Sequence, residues 1–142
     1  MKLRSLQSKE LALLVDLWRE ASLPFRPKGR DSLQNLRKQR LRDPQLFVGA
    51  FVNSQLVGAA IASDDGRKGW INRLAVAPDA RGRGIATLLV RRCEDILRKR
   101  GRLLFCILIE SYNDESMRLF EHLGYSKEDD IFYCTKRESK EF

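Results

Sequence analysis

The chain has 142 residues, and 27 Lys and Arg against 19 Asp and Glu give it a net charge of +8. Hydrophobic residues make up 43% and charged residues 32%, which predicts a single globular domain over residues 1–142 and excludes a disordered chain. The longest apolar run, residues 103–109, is far shorter than the ~20 residues of a membrane helix, and the first residues lack a signal-peptide pattern. We therefore expect a cytoplasmic protein without a membrane role.

The charge and the cysteines narrow the possible partners. A basic chain favours a polyanion, which is a nucleic acid, an acidic lipid surface or a phosphate-rich small ligand. The three cysteines are scattered and the chain has one histidine, so we expect no metal site.

The first half of the chain predicts a strand, two helices and an antiparallel meander. Residues 2–6 alternate like a strand, and Ser8 is the expected N-cap of a helix with Leu11, Leu14, Val15 and Trp18 on its apolar face. Asp31 is the expected cap of a second, basic helix that carries Leu33, Leu36 and Leu41 and ends before Pro44. Three strands follow, joined by tight turns: residues 46–52, 56–62 and 70–76.

The second half predicts a loop, an amphipathic helix and a buried strand. The helix covers residues 85–100, and the continuous apolar run 103–109 is typical of a strand buried on both faces. With strand 70–76 they form a βαβ unit. A further helix over residues 114–123 and a last strand over 131–135 complete an α/β fold, in which a mixed sheet carries helices on both faces.

The loop Arg81-Gly82-Arg83-Gly84 precedes the amphipathic helix. Glycines at a helix N-terminus let backbone N–H groups approach an anion, and the helix dipole and two arginines add positive charge. The loop ends in no Gly-Lys-Ser/Thr, and Thr87 stands where a dinucleotide fingerprint has its third glycine. The spacing alone leaves two interpretations open: a pyrophosphate site, or an ordinary turn with solvated arginines.

Two segments together resemble the GNAT superfamily of N-acetyltransferases. Residues Arg81-Gly-Arg-Gly84-Ile-Ala86 are similar to its acetyl-CoA signature, Gln/Arg-x-x-Gly-x-Gly/Ala. Residues 113–125, Asn-Asp-Glu-Ser-Met-Arg-Leu-Phe-Glu-His-Leu-Gly-Tyr, are similar to its Asn-x-x-Ala-x-x-Leu-Tyr-Glu-x-x-Gly-Phe block. The resemblance covers residues 50–125 and implies the GNAT fold, with acetyl-CoA as co-substrate and an unknown amine as acceptor. It also implies a possible homodimer through the C-terminal strands.

The resemblance implies a binding site in a V-shaped opening between strands 70–76 and 103–109. Backbone groups of Leu74, Ala75 and Val76 would hold the pantetheine and acetyl portions, with the Val76 N–H polarising the thioester carbonyl. Backbone N–H groups from Gly82 to Thr87 would hold the pyrophosphate. The implied set of cofactor-binding residues is Leu74, Ala75, Val76, Arg81, Gly82, Arg83, Gly84, Ile85, Ala86, Thr87, Asn113 and Phe120.

The usual catalytic groups of the family are absent from their usual places. The central strand has Asn72 and Arg73, and Leu108 stands where the ribosomal-protein acetyltransferases have a glutamate. Phe120 replaces the tyrosine acid. The candidate substitutes are Glu110, as a base through water, and Tyr112 or Tyr125, as proton donors. Each competes with a structural interpretation, and the family also contains members that bind the amine neutral.

Two other classes of function remain open. Phe120 motivates a CoA-binding module that has lost catalysis. The basic segment of residues 37–42 motivates a nucleic-acid-binding protein, although such a charge run is more often a solvated helix face.

Overall fold

The computed structural model describes residues 1–142. It confirms the predicted order of elements from the first strand to the helix of residues 114–123. Three 3-10 turns, Ser8–Glu10, Pro44–Leu46 and Pro78–Ala80, lie between them. The strands and helices are β1 Lys2–Ser5, α1 Leu11–Glu20, α2 Leu33–Arg42, β2 Phe47–Val52, β3 Gln55–Asp64, β4 Gly69–Val76, α3 Ile85–Lys99, β5 Phe105–Ile107 and α4 Asp114–His122.

The five strands form one mixed sheet in the order β1-β2-β3-β4-β5. The first four strands pair antiparallel, and β5 pairs parallel to β4. The turn between β2 and β3 places Asn53 and Ser54 at φ of 50° and 66°, the left-handed conformation that a two-residue hairpin turn requires. The meander and the βαβ unit are thereby confirmed.

The helices cover both faces of the sheet, as predicted for this α/β fold. A Cβ on Gly58 of β3 would lie 2.9 Å from Cγ2 of Ile85, so the missing side chain lets α3 approach the sheet closely. On the opposite face, Trp18 of α1 lies under the guanidinium of Arg73 in β4. Leu89, Cys93 and Leu97 of α3 and Leu14 and Trp18 of α1 belong to the buried core.

Both predicted helix caps are wrong by one residue. Gln7, and not Ser8, precedes the first turn, and its N–H donates to the Glu10 carboxylate at 2.8 Å. Ser32, and not Asp31, caps α2 by accepting a hydrogen bond from the Asn35 N–H at 3.2 Å. The Asp31 carboxylate instead accepts the Arg26 N–H at 2.7 Å. Leu33 and Leu41, expected on the apolar face of α2 with Leu36, are exposed, and Leu36 is buried.

The predictions for the C-terminal part need larger corrections. The strand expected over residues 103–109 covers only Phe105–Ile107, and Leu103, Leu104 and Leu108 are exposed rather than buried on both faces. Residues 131–135 form no strand, and Ile131, Phe132 and Tyr133 are exposed. β5 is the last strand of the sheet, so it pairs with β4 on one side and with no strand on the other. An apolar composition predicts a strand but does not show whether strands lie on both sides of it.

Candidate functional site

The parallel strands β4 and β5 pair over three residues and then separate. Gly69, Trp70 and Ile71 are the register partners of residues 105–107. Beyond Ile71, β4 continues to Val76 with β3 as its only partner. One edge of β4 is therefore open from Asn72 to Val76, at the position where the sequence predicted the binding site.

A β-bulge decides which backbone groups face this open edge. The register of β3 and β4 shifts opposite Ile61 and Ala62, which leaves Asn72 as the extra residue. The Ala77 N–H donates to the Val57 carbonyl of β3 at 2.8 Å. Because pairing groups alternate along an antiparallel strand, the N–H and C=O groups of Leu74 and Val76 point to the open edge. Both groups of Leu74 and the N–H of Val76 are available to pair with an extended ligand, whereas the Val76 carbonyl accepts a hydrogen bond from Arg81.

The glycine loop between β4 and α3 has the features that an anion site needs. Gly82 and Gly84 have φ of +80° and +77°, and a Cβ on either would meet no atom within 4 Å. The first N–H groups of α3, which begins at Ile85, have no partner within the helix, and the helix dipole makes this end positive. Open space, free N–H donors and positive potential are what a diphosphate requires.

The two loop arginines fold back onto the backbone. Nε of Arg81 donates to the Val76 carbonyl at 3.2 Å, and Nη2 of Arg83 donates to the Asp79 carbonyl at 3.3 Å. Their charges stay at the N-terminus of α3 while the backbone N–H groups remain accessible. The buried Ile85 anchors the first turn of α3, and Ala86 and Thr87 are partly exposed.

Glu110 and Tyr112 lie beyond the end of β5, on the segment that leads to α4. Both side chains are exposed, and neither makes a hydrogen bond or ion pair with another residue. Asn113 caps α4, since its Oδ1 accepts the Ser116 N–H at 3.1 Å. Its amide N–H donors remain free. The structure thus orients Asn113 but does not orient the two candidate proton-transfer residues.

Phe120 and Tyr125 form an aromatic pair next to α3. Phe120 is 1% exposed, and its ring centroid lies 5.1 Å from that of Tyr125 in an edge-to-face arrangement. The Tyr125 hydroxyl donates to the Glu94 carboxylate at 2.6 Å, and burial together with this contact raises the pKa of Tyr125. Tyr125 is therefore a packing residue held in its protonated state, in agreement with the structural interpretation of the sequence.

Arg73 is the residue whose importance the sequence did not reveal. Its guanidinium lies 4.5 Å from the centre of the Trp18 ring, and Nη2 donates to the Pro24 carbonyl at 2.6 Å. Its Nε is buried without a hydrogen-bond partner, and burial lowers the pKa of Arg73. In the sequence, Arg73 stands out only because the central strand lacks a glutamate. The sequence signal that could have indicated a functional role is a single arginine in β4, between Ile71 and the apolar residues 74–77.

Comparison with known proteins agrees with this geometry. The model of the acetyltransferase (GNAT) family matches residues 11–125. An acetyltransferase of Yersinia pestis (strain Pestoides F) is 34% identical over 131 residues, which are 92% of each chain. The fold and the family match define a GNAT-type acetyltransferase. The chain belongs to the GNAT acetyltransferase family, as the sequence predicted.

Solved structures show the same fold at lower identity. The PaiA N-acetyltransferase of Thermoplasma acidophilum, solved with coenzyme A, superimposes with a TM-score of 0.82 at 22% identity and covers 92% of both chains. The aminoglycoside N-acetyltransferase AAC(6')-Iy, solved with a bisubstrate analogue, has a TM-score of 0.78 at 17% identity and covers 96% of this chain and 97% of its own.

No helix has the length and apolar character needed to cross a membrane. No three His, Cys, Asp or Glu side chains are grouped so that they could hold a metal ion.

Proposed function

We propose that the protein transfers an acetyl group from acetyl-CoA to a primary amine by direct attack. The observation that carries the proposal is the open edge of β4 beside the N-terminus of α3. The free N–H and C=O of Leu74 and the free N–H of Val76 pair with the pantetheine arm as an added strand would. The N–H groups from Gly82 to Thr87 hold the pyrophosphate.

The chain's own groups then serve the transfer step. The amine nitrogen bonds to the carbonyl carbon, the carbon–sulfur bond breaks, and the nitrogen loses a proton to solvent while the sulfur gains one. The Val76 N–H, which faces the opening, donates to the thioester oxygen as its negative charge develops. Because Phe120 and Tyr125 offer no proton at the opening and nothing orients Glu110 or Tyr112, the proposal relies on an amine bound in its neutral form.

Calorimetric titration with acetyl-CoA is the first test, with ATP and NAD as controls. The proposal expects micromolar affinity that is selective for acetyl-CoA. Equal binding of all three polyanions would reduce the loop to a basic surface and would direct attention to nucleic acid. Binding without CoA release in the presence of amines would indicate a CoA-binding module that has lost catalysis.

A charge variant separates the helix N-terminus from general electrostatics. Ala86→Glu places a carboxylate in the first turn of α3, where it suits the helix dipole but repels the pyrophosphate. We expect affinity for acetyl-CoA to fall by at least about 30-fold without loss of thermal stability. Gln34→Glu is the matched control, because residue 34 occupies the same position in the first turn of α2. Equal losses in both variants would contradict the site.

Location and assembly are further parts of the proposal. All three cysteines are unpaired, which suits the reducing cytoplasm. The exposed side chains of Leu103, Leu104 and Leu108, which flank β5, and of residues 131–133 support a homodimer through this part of the chain. Light scattering at micromolar concentration measures the mass and decides between one copy and two.

A further inference from the structure

We propose that Arg73 binds an anionic group of the acceptor, so that the acceptor is a primary amine that also carries a carboxylate or a phosphate. This inference rests on the proposed acetyl transfer and names the class of acceptor. Arg73 is assigned as an acceptor-binding residue and not as a catalytic one.

Arg73 occupies the correct place for this role. It directly precedes Leu74, whose backbone faces the open edge of β4, so the two Cα atoms are about 3.8 Å apart. Val76 lies on the α3 face of the sheet, opposite Gly58. Arg73, three residues earlier, lies on the α1 face, where its guanidinium contacts Trp18 and Pro24. An acceptor that approaches the opening from the α1 face therefore meets Arg73.

The Arg73 guanidinium is held in place, but most of its N–H donors have no hydrogen-bond partner. A guanidinium has five N–H donors, and the one hydrogen bond that Arg73 makes goes to the Pro24 carbonyl. Nε has no partner, and no carboxylate lies within 4 Å of the group. A partly buried cation without a counter-ion is costly. A carboxylate or phosphate oxygen on the substrate completes this site with charge-assisted hydrogen bonds.

The neighbouring charges offset the charge of Arg73 only in part, because the larger effect, that of Asp31, is opposed by that of Arg30. Asp31 and Arg30 are the charged side chains close enough to act on it, and their effects oppose each other. The Asp31 carboxylate already accepts the Arg26 N–H and lies 3.6 Å from Nε of Arg30.

The surface next to Arg30 is also positive. A cavity of about 380 Å³ next to Arg30 is lined by three basic residues and one acidic residue. The side chains next to Arg30 therefore favour an anion over a cation, although Arg73 itself does not line this cavity. The lining residues are Arg30, Tyr133, Thr135, Lys136, Arg137, Glu138 and Phe142.

The positive charge of Arg73 also favours the neutral, reactive form of the acceptor amine. A cation near the bound amine disfavours the ammonium and lowers its pKa. An acceptor with an anionic group is attracted to the site as a whole, whereas its amine is held neutral for attack. A polycationic acceptor lacks that attraction and is repelled.

Matched acceptors test the inference by their rates of CoA release. β-Alanine is compared with β-alaninamide, and O-phosphoethanolamine with ethanolamine, so that each pair differs in the anionic group. We expect kcat/KM to be at least about tenfold higher for the anionic member of at least one pair. The two arms distinguish a carboxylate acceptor from a phosphate acceptor. Equal or better use of both neutral members would overturn the inference.

Substitution of Arg73 tests whether this side chain causes the preference for anionic acceptors. In Arg73→Gln we expect the preference to shrink to less than about threefold through a higher KM for the anionic acceptor, with affinity for acetyl-CoA unchanged. Arg73→Lys keeps the charge and retains part of the preference. Arg37→Gln, on the exposed face of α2, removes the same charge elsewhere and serves as control. An unchanged preference in Arg73→Gln contradicts the proposal.

A binding measurement decides the case even if none of the four amines is acetylated. The protein is first saturated with CoA, which blocks the loop of residues 82–87, and is then titrated with glutarate and with inorganic phosphate. Binding of either anion that is at least about tenfold weaker in Arg73→Gln supports the inference. Absence of binding up to about 10 mM in the native protein, or equal binding in the variant, overturns it. Failure to bind CoA at the outset would instead contradict the proposed function.

Discussion

The parts of the chain before and after residue 100 differ in how they are packed. All the buried core residues except Phe120 lie at or before Leu97. After Gly101 the chain has one three-residue strand, one helix and many exposed apolar side chains. The proposed site uses both parts. The groups assigned to acetyl-CoA and to the acceptor's anion lie mainly in the packed part, whereas Glu110 and Tyr112 lie in the exposed part. Binding is therefore better defined by this fold than proton transfer.

The largest expected effect contrasts two leucines. Leu89 of α3 is fully buried, whereas Leu104 is 54% exposed. Leu89→Ala should lower the free energy of unfolding by about 2–5 kcal/mol, because it removes buried methyl groups and leaves a cavity. Leu104→Ala should change it by less than about 0.5 kcal/mol. Urea denaturation measures both. A large loss in Leu104→Ala would show that the C-terminal part is packed in solution, by a partner copy or by its own later residues.

A second substitution tests how the packed part positions the site. The added methyl of Gly58→Ala would lie 2.9 Å from Cγ2 of Ile85 and 3.1 Å from Cδ1 of Leu89. We expect a loss of about 1–3 kcal/mol in the free energy of unfolding and weaker binding of acetyl-CoA, because α3 must move away from the sheet.

The second-site variant Ile85→Leu removes Cγ2 and provides the control. Gly58→Ala combined with Ile85→Leu should be more stable than the sum of the two single effects predicts. Additive effects would contradict the proposed contact.

The sequence predicted these two regions unequally for physical reasons. The turn at Asn53 and Ser54, the periodicity of α3 and the Gly82–Gly84 loop are local signals, and the structure confirms the elements that depend on them. The lengths of the strands expected at 103–109 and 131–135 depend on partners elsewhere in the chain, which composition does not reveal. The environment of Arg73 depends on α1 and on the loop at Pro24, which is 49 residues away in sequence.

A pH-dependent ion pair at the start of α1 offers a smaller test. Two hydrogen bonds from Arg4, at 2.8 and 2.7 Å, are the main cause that lowers the pKa of Glu10 to about 2. A carboxyl whose folded pKa is depressed stabilises the protein above its unfolded pKa, and the stabilisation is lost as the pH falls towards the folded value. Glu10→Gln should therefore cost about 1–3 kcal/mol at pH 7 and progressively less between about pH 4.5 and pH 2.

Urea denaturation across this pH range measures the effect of Glu10→Gln. Glu20→Gln, at the exposed end of α1, is the matched control and should show no such trend. A cost for Glu10→Gln that is independent of pH would mean that packing, and not the ion pair, stabilises this part of the chain.

The smallest expected effect concerns the two candidate proton-transfer residues. Glu110 and Tyr112 are exposed, and no contact holds either side chain towards the opening. We therefore expect Glu110→Gln and Tyr112→Phe to change kcat/KM by less than about threefold, since general acid–base catalysis requires a side chain within hydrogen-bond reach of the proton. The pH profile of kcat/KM should be unchanged in both variants. A fall of about 100-fold or more with a changed pH profile would identify the residue as a catalytic base or acid. It would also mean that the exposed part becomes ordered around the bound substrates.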